Sequence, residues 1–351
     1  MAVTIESNQN QAFARFRLGA RIISESESKV KLFAMIKLAE CSHDNFKKSG
    51  KNRNGSQRYK CNDCGKRFSD EHVNDSPLGN MRVDLDKAMM VVNALLEGMS
   101  IRACERLFNM NRDTIDRLIL EVGGRCQRFM DANIVNVDCD DIQIDEIWSF
   151  VGMKQKQAKK QDDATFGDSW TYIAVDRDTK LVPAHFVGQR NNIDTNHFLG
   201  LLRNAVNVER SFQVSTDGWR GYRYGVPFNL GSRVNFGMLI KNYASTQETT
   251  RYSPAQIISA EKKAVFGAPD MNKVCTSHVE PLNQKLPLNM KRFTRLTQAH
   301  SKSLKHHVAM QAIYFAHYNF CKLHTSLDKQ TPAMAAGIVG RQLQLVELLG
   351  K

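Results

Sequence analysis

Three carboxylates stand in sequence contexts where a bare charge is costly: Asp145 within IQIDEIWSFV (142–151), Asp217 closing QVSTDGW (213–219), and Glu280 near the start of HVEPLNQKLPLNMKRFTRLT (278–297). The first two runs are apolar and β-like, and a carboxylate inside or at the end of a buried strand costs several kcal/mol unless paired or bound to a cation. Converging, the three would make an oxygen-rich pocket suited to Mg²⁺. Two such ions about 3.5–4 Å apart can activate a water or a 3′-hydroxyl and stabilise the leaving oxygen of a phosphoryl transfer. Glu146 competes with Asp145 for the first position. For Glu280 the alternative is a first-turn carboxylate that complements a helix dipole.

A second set of ligating types lies near the N-terminus. Cys61-Asn-Asp-Cys64-Gly has the spacing that lets two thiolates reach one tetrahedral Zn²⁺. Upstream only Cys41 is available as a third thiolate, because Leu38 stands where another would be expected. His43, with His72 the alternative, is left as the fourth ligand. Lysines and arginines surround this knuckle, among them Lys47, Lys48, Arg58, Lys60, Lys66 and Arg67. They suit phosphate contact or a solvated charged face.

The elements that would position these groups follow from periodicity. LDKAMMVVNALLEGMS (85–100) has apolar residues at helical spacing and a stop at Gly98. Ser100 can cap a second helix over 101–108. A short turn at 109–111 then leads into 112–126, whose apolar face is Ile115, Leu118, Ile119 and Val122. Helix, turn and helix in this spacing predict a helix-turn-helix, or else an ordinary αα-hairpin. In the first case Arg112, Thr114 and Arg117 lie where a recognition helix meets DNA.

From Ile142 the pattern switches to strands: 142–151, 170–176, 181–187 and 212–217, with a helix over 193–206. A short strand at 236–240 precedes an expected irregular stretch over 243–277, and two helices follow at 279–293 and 298–321. Mixed strands and helices predict an α/β sheet flanked by helices. Trp148 and Trp219 read mostly as core, with flanking of a DNA path the alternative. His278 reads as structural. Lys285, Lys291, Arg292 and Arg295, beyond the glutamate, can face phosphates.

With 351 residues, 49 Lys+Arg against 36 Asp+Glu and a formal charge of +13, the chain can hold two or three units and favours a polyanionic partner. No apolar run reaches the ~18 residues of a membrane span, so no membrane partner is expected. The N-terminal segment lacks a secretory pattern. Eight scattered cysteines argue for reduced thiols and a cytoplasmic setting. The expected organisation is a weakly specified lead-in (1–37), a zinc-ribbon-like segment (38–70), helix-turn-helix (83–131), catalytic α/β domain (140–322) and C-terminal tail (323–351).

Several blocks in one order resemble bacterial insertion-sequence transposases of the DDE superfamily, close to the insertion-sequence-one family. They are NFKKSGKNRNGSQRYKCNDCGKRFSD (45–70), QIDEIWSFVGMKQK (143–156), RYSPAQIISAEKKAVFGAPD (251–270), NMKRFTRLTQAHSKSL (289–304) and YNFCKLHTSLDKQTPAMAAGI (318–338). The resemblance implies a ribonuclease-H-like catalytic domain and Mg²⁺-dependent strand cleavage and strand transfer, with Asp145, Asp217 and Glu280 as metal ligands. It further implies that terminal inverted repeats and target DNA are the partners and that the active complex is at least a homodimer. The alternative is a decayed copy acting as a DNA-binding regulator. Three positions depart from the pattern: Leu38 in place of a ribbon cysteine, Pro281 where a basic residue is usual, and Pro287. Pro281 falls in a first turn that tolerates it, whereas Pro287 is expected to kink its helix at a cost of about 3 kcal/mol.

Overall fold

In the computed structural model the backbone first organises as a small antiparallel sheet, β1 (Phe46–Lys51), β2 (Gln57–Cys61) and β3 (Arg67–Ser69). The structure describes residues 41, 43–51, 57–69, 76–159, 163–243, 257–294 and 297–350, which belong to one compact unit spanning 40–351. The lead-in 1–37, Leu38, His72 and Arg295 lie outside the described residues. Phe46, Tyr59, Phe68 and His43 pack ring to ring on the small sheet, with centroids 5.1–5.6 Å apart. Gly65 turns the Cys-x-x-Cys knuckle at φ +75, a conformation glycine adopts without strain.

Three helices follow: α1 (Leu85–Leu96), α2 (Ile101–Phe108) and α3 (Arg112–Asn133). A side-chain oxygen at each start satisfies a backbone N–H of the first turn. Asp84 Oδ1 accepts from Lys87 N at 2.9 Å. Ser100 Oγ accepts from Ala103 N at 3.2 Å, and Asn111 Oδ1 from Asp113 N at 2.8 Å. Asn109 ends α2 in the left-handed region at φ 46. α3 runs past Cys126, the end expected from periodicity, because tertiary packing sustains it through Gly123 and Gly124.

The main sheet is mixed, in the order β6-β5-β4-β7-β8-β9. β4 (Asp141–Val151), β5 (Gly167–Asp176) and β6 (Ala184–Gly188) run antiparallel in series. β7 (Phe212–Asp217) joins β4 in parallel on its other side, β8 (Val234–Tyr243) continues in parallel, and β9 (Ile257–Phe266) returns antiparallel. Parallel neighbours need crossovers. α4 (Asn192–Ala205) supplies the first and α5 (Arg220–Leu230) the second.

α6 (Glu280–Asn289) and α7 (Leu304–Phe320) complete the main body. α7 is buried nearly all round, its polar His307, Gln311 and Asn319 included. It covers the antiparallel half of the sheet, where His185 meets Phe315 at 4.4 Å and Asn319 Oδ1 accepts from Val182 N at 2.9 Å. α4 covers the opposite face, with Phe198 stacked 5.4 Å from Tyr172. Beyond α7 the chain packs back, and Arg125 Nη1 donates to Leu349 O at 2.9 Å.

Four local expectations change. The stretch 243–277 is not wholly irregular, since β9 lies within it. Its residues are exposed almost throughout and give no alternation to read. α5 has no clear helical signal because RGYRYGVPFNL carries two glycines and Pro227, all poor helix formers. α6 ends at Asn289, two residues past Pro287, and resumes only as a short 3₁₀ turn over Lys291–Phe293; Pro287 sits inside it and removes the bond to the turn before. α7 begins at Leu304, not 298, because Ser301 bridges to Val151 and its carbonyl accepts from Gly152 N at 2.8 Å.

Candidate functional site

The register of two parallel neighbours sets up the acidic site. Ile144 on β4 pairs with Thr216 on β7, so Asp145 and Asp217 follow in step at the next positions. Oxygens of Asp145, Glu146 and Asp217 all lie within 4.8 Å of one another. Glu146, the competitor at the first position, is thus part of this group beside Asp145.

Each carboxylate is held. Asp145 Oδ1 accepts from Glu146 N and its Oδ2 from Asn283 Nδ2, both at 2.9 Å. Asp217 Oδ1 accepts from Trp219 N at 2.9 Å. The Glu146 side chain is only 1% exposed, and it accepts from the Tyr222 hydroxyl and pairs with Arg190 at 3.1 Å. Arg190 also donates to Asp217 at 2.8 Å. Its guanidinium lies between Trp170 and Trp219, 5.0 and 4.8 Å from the two ring centroids, close enough for cation–π attraction to both. Trp219 Nε1 is anchored on Thr195 Oγ1 at 3.1 Å.

The electrostatics follow from burial and crowding. Burial, then the charge of Asp217, pushes the Asp145 carboxyl up to about 6 against hydrogen bonds from Glu146 N–H and Asn283. Both causes disfavour the ionised form. Burial and Asp217 push Glu146 to about 8, with Tyr222 and Arg190 pulling the other way. Such perturbed carboxyls in contact are the usual mark of a functional pocket or of an internal ion-pair network.

Glu280 is placed differently. It opens α6, the helix that brings Asn283 onto Asp145, and its charge is felt at Asp145. Its carboxylate is engaged by Lys241 Nζ and by Thr276 Oγ1, the latter at 2.7 Å, and it is not in the convergent acidic group. Burial acts to raise its carboxyl, but the Lys241 and Thr276 hydrogen bonds outweigh this and hold it below the usual range.

The N-terminal ligands come together as a second centre. Atoms of Cys41, His43, Cys61 and Cys64 lie within 4.8 Å of one another, with Cys41 Sγ 3.4 Å from Cys61 Sγ and Cys64 Sγ 3.5 Å from His43 Nδ1. The Cys61 thiol is lowered to about 6, first by a backbone N–H at Cys64 and then by His43. Two soft thiolates, a third sulfur and an imidazole suit Zn²⁺. All eight cysteines are free thiols.

Of the residues read as nucleic-acid contacts, Arg112 and Arg117 are exposed and Thr114 is half-buried beside them in the first turns of α3. Lys291 is exposed. Arg292 is half-buried and donates to Ser301 Oγ at 3.1 Å. His278 is structural in its contacts: its N–H donates to Gln143 Oε1 at 2.7 Å and its ring meets Lys180 Nζ at 3.1 Å. Arg190, Trp170, Tyr222 and Asn283 were not singled out from the sequence. Only Asn283 carried a signal, standing one helical turn after Glu280; the others depend on which strands become neighbours.

Among the described residues no helix is long and apolar enough to cross a membrane. No family model and no curated protein matches the chain. Among solved structures it is similar to a piggyBac transposase synaptic complex with hairpin DNA, seen by cryo-electron microscopy. That likeness has a TM-score of 0.39 and 12% identity, and covers 76% of this chain and 70% of that one.

Proposed function

We propose that the chain is a DDE-type DNA transposase, related to the insertion-sequence-one family, which binds element ends and catalyses metal-dependent strand cleavage and strand transfer. The observation that carries this reading is the convergence of Asp145 and Asp217 from adjacent parallel strands, joined by Glu146. The order of the sheet supports a ribonuclease-H-like domain over 140–322: three antiparallel strands in series, then parallel strands added through helices beside the first. The donor set is all carboxylate oxygen and fits Mg²⁺. Asp145, Asp217 and Glu280 would hold two ions, with Glu146 as a further neighbour. Bound there, Mg²⁺ supplies positive charge to the reacting phosphate and acidifies the attacking hydroxyl.

The chain's own residues prepare that geometry. Asn283 fixes the Asp145 carboxylate, the Trp219 N–H fixes Asp217, and Tyr222 fixes Glu146. Arg190 neutralises the crowded acids, and once freed it can pair with a phosphate. Lys241 restrains Glu280 and must release it for that carboxylate to join. Arg112, Thr114 and Arg117 would contact DNA from a helix-turn-helix over 83–131. Cys41, His43, Cys61 and Cys64 would bind Zn²⁺ and stiffen the 38–70 segment beside its lysines. Pairing two DNA ends requires at least a homodimer.

The test is incubation of the protein with DNA bracketing its own coding region and Mg²⁺, resolved on a sequencing gel. Asp217→Asn should abolish both nicked and joined products; retained cleavage would remove Asp217 from the site. A second reading, a DNA-binding regulator without catalysis, is favoured by the Arg190 and Lys241 ion pairs, which neutralise the acids without metal. It predicts DNA binding with no cleavage in any divalent cation.

A further inference from the structure

Away from the carboxylates, a cavity of about 650 Å³ opens between the α1–α2 junction, the first turns of α3 and α7, and the stretches 289–292 and 298–303. Arg102, Lys291, Arg292, His300, Lys302 and His306 line it, against the single carboxylate of Asp116. Leu95, Met290 and Met310 give it an apolar side. Cations on the walls of a hollow raise the local concentration of anions more than the same charges on a flat face.

Arg292 is poorly served by the protein itself, and His306 only in part. An arginine carries five N–H donors, and half-buried Arg292 makes, among the described residues, one hydrogen bond, to Ser301 Oγ at 3.1 Å. Burial holds its guanidinium below the usual arginine range, Asp116 only partly offsetting this. His306 bonds Ser303 Oγ through Nδ1 at 3.1 Å, while its buried Nε2 makes no well-formed hydrogen bond among the described residues and has the Asp116 backbone as its neighbour. The Arg292 donors withdrawn from water and left unpaired are costly, and an anionic acceptor would relieve them.

We propose that this cavity binds a nucleotide unit, its phosphate on Arg292 and the neighbouring cations and its base against the apolar side. A phosphate gripped from outside needs no hollow, whereas this volume falls within the range of small-molecule sites, roughly 300–1,000 Å³. The location suits a strand that also passes the acids. Val151, bridged to Ser301, lies six residues beyond Asp145 on β4. At ~3.3 Å per residue that is a run of about 20 Å. In that sense the inference rests on the DNA-handling reading and adds a grip on the strand away from the point of chemistry.

The experiment uses the full chain in EDTA with a short fluorescent single-stranded oligonucleotide, followed by anisotropy. Arg292→Gln is expected to weaken binding about tenfold, near 1.4 kcal/mol. The exposed-rim double variant Arg102→Ala/Lys302→Ala, which leaves the buried packing intact, should weaken it to a similar degree. Unlabelled deoxyadenosine monophosphate and inorganic phosphate serve as competitors. Displacement by the mononucleotide identifies a free nucleotide as a sufficient ligand, and displacement by longer strands alone identifies a unit within DNA. Inorganic phosphate competing as well as the mononucleotide overturns the proposal, as does wild-type affinity in the rim variant. Because binding is read without metal, the result is independent of whether Asp217→Asn abolishes cleavage.

Discussion

The Arg190 guanidinium donates to Asp217 at 2.8 Å while also reaching Glu146 at 3.1 Å, and so takes up the position between carboxylates where a divalent cation would be held. Stacked by Trp170 and Trp219, it is a built-in counter-ion and not a loose surface arginine. A cation that binds these acids must displace or outcompete it.

Arg190→Met is therefore expected to lower stability in EDTA and to raise affinity for Mg²⁺. Losing a charge-assisted pair of this exposure costs about 1–3 kcal/mol, because Glu146 stays buried without its partner. Millimolar Mg²⁺ should restore more of the variant's thermal midpoint than it adds to the wild type. Tryptophan fluorescence offers a second readout, since Mg²⁺ should change the Trp170–Trp219 signal only when Arg190 is present to move. Equal Mg²⁺ shifts in both proteins would show that the arginine is no competitor.

Metal affinity should also depend on pH. Asp145 is raised to about 6 and Glu146 to about 8, so both acids gain protons on folding. Their contribution to stability is full below the ordinary carboxyl range and is lost as pH rises through these values. Cation binding has the opposite sign, because each displaced proton opposes it. Apparent Mg²⁺ affinity, measured calorimetrically, should climb up to about tenfold per pH unit per proton from pH ~5 and level off above pH ~8. Glu146→Gln should move the plateau down toward pH ~6. An affinity flat across this range would mean these acids do not hold the metal.

Much of this framework was legible in the sequence, for identifiable reasons. β4 and β7 show as apolar runs because both faces are covered. The capped helices show because Ser100 and Asn111 stand at the right offsets. β9 does not show, being an exposed edge strand whose Glu261, Lys262 and Lys263 read as loop. The site was legible as residue types only. That Asp145 meets Asp217 depends on β7 joining β4 in parallel, and that Glu280 meets Lys241 depends on how α6 lies over β8. Neither relation is encoded in local spacing.

The cysteine cluster leads to a stoichiometry. One Zn²⁺ per chain is expected by elemental analysis, held by Cys41, His43, Cys61 and Cys64. Cys61→Ser should lose the metal entirely, since this thiol is already lowered to about 6 and is buried behind the knuckle. His43→Ala removes a ligand and should weaken the site by more than the roughly 10–100-fold that an outer-shell partner is worth. Metal content unchanged by Cys61→Ser would place the zinc elsewhere or rule it out.

The adjacent glycines of α3 should respond in opposite directions. A Cβ on Gly123 would lie 2.6 Å from the Ala309 carbonyl oxygen and 2.7 Å from Ala309 Cβ, because α3 and α7 cross there with their backbones nearly in contact. On Gly124 the nearest atom would be the flexible tip of Arg128, 3.6 Å away. Alanine improves a helix interior over glycine by about 1 kcal/mol. At Gly124 nothing opposes that gain, so Gly124→Ala should raise the thermal midpoint. At Gly123 the overlap forces the helices apart, at about 1–3 kcal/mol, and Gly123→Ala should lower it. Ala309→Gly removes one of the three close atoms but leaves the carbonyl oxygen and Cα, so the double variant should recover only part of the loss. If Gly123→Ala instead stabilised the chain like Gly124→Ala, the close crossing that fixes α3, the helix of Arg112 and Arg117, against the sheet-covering helix would not exist.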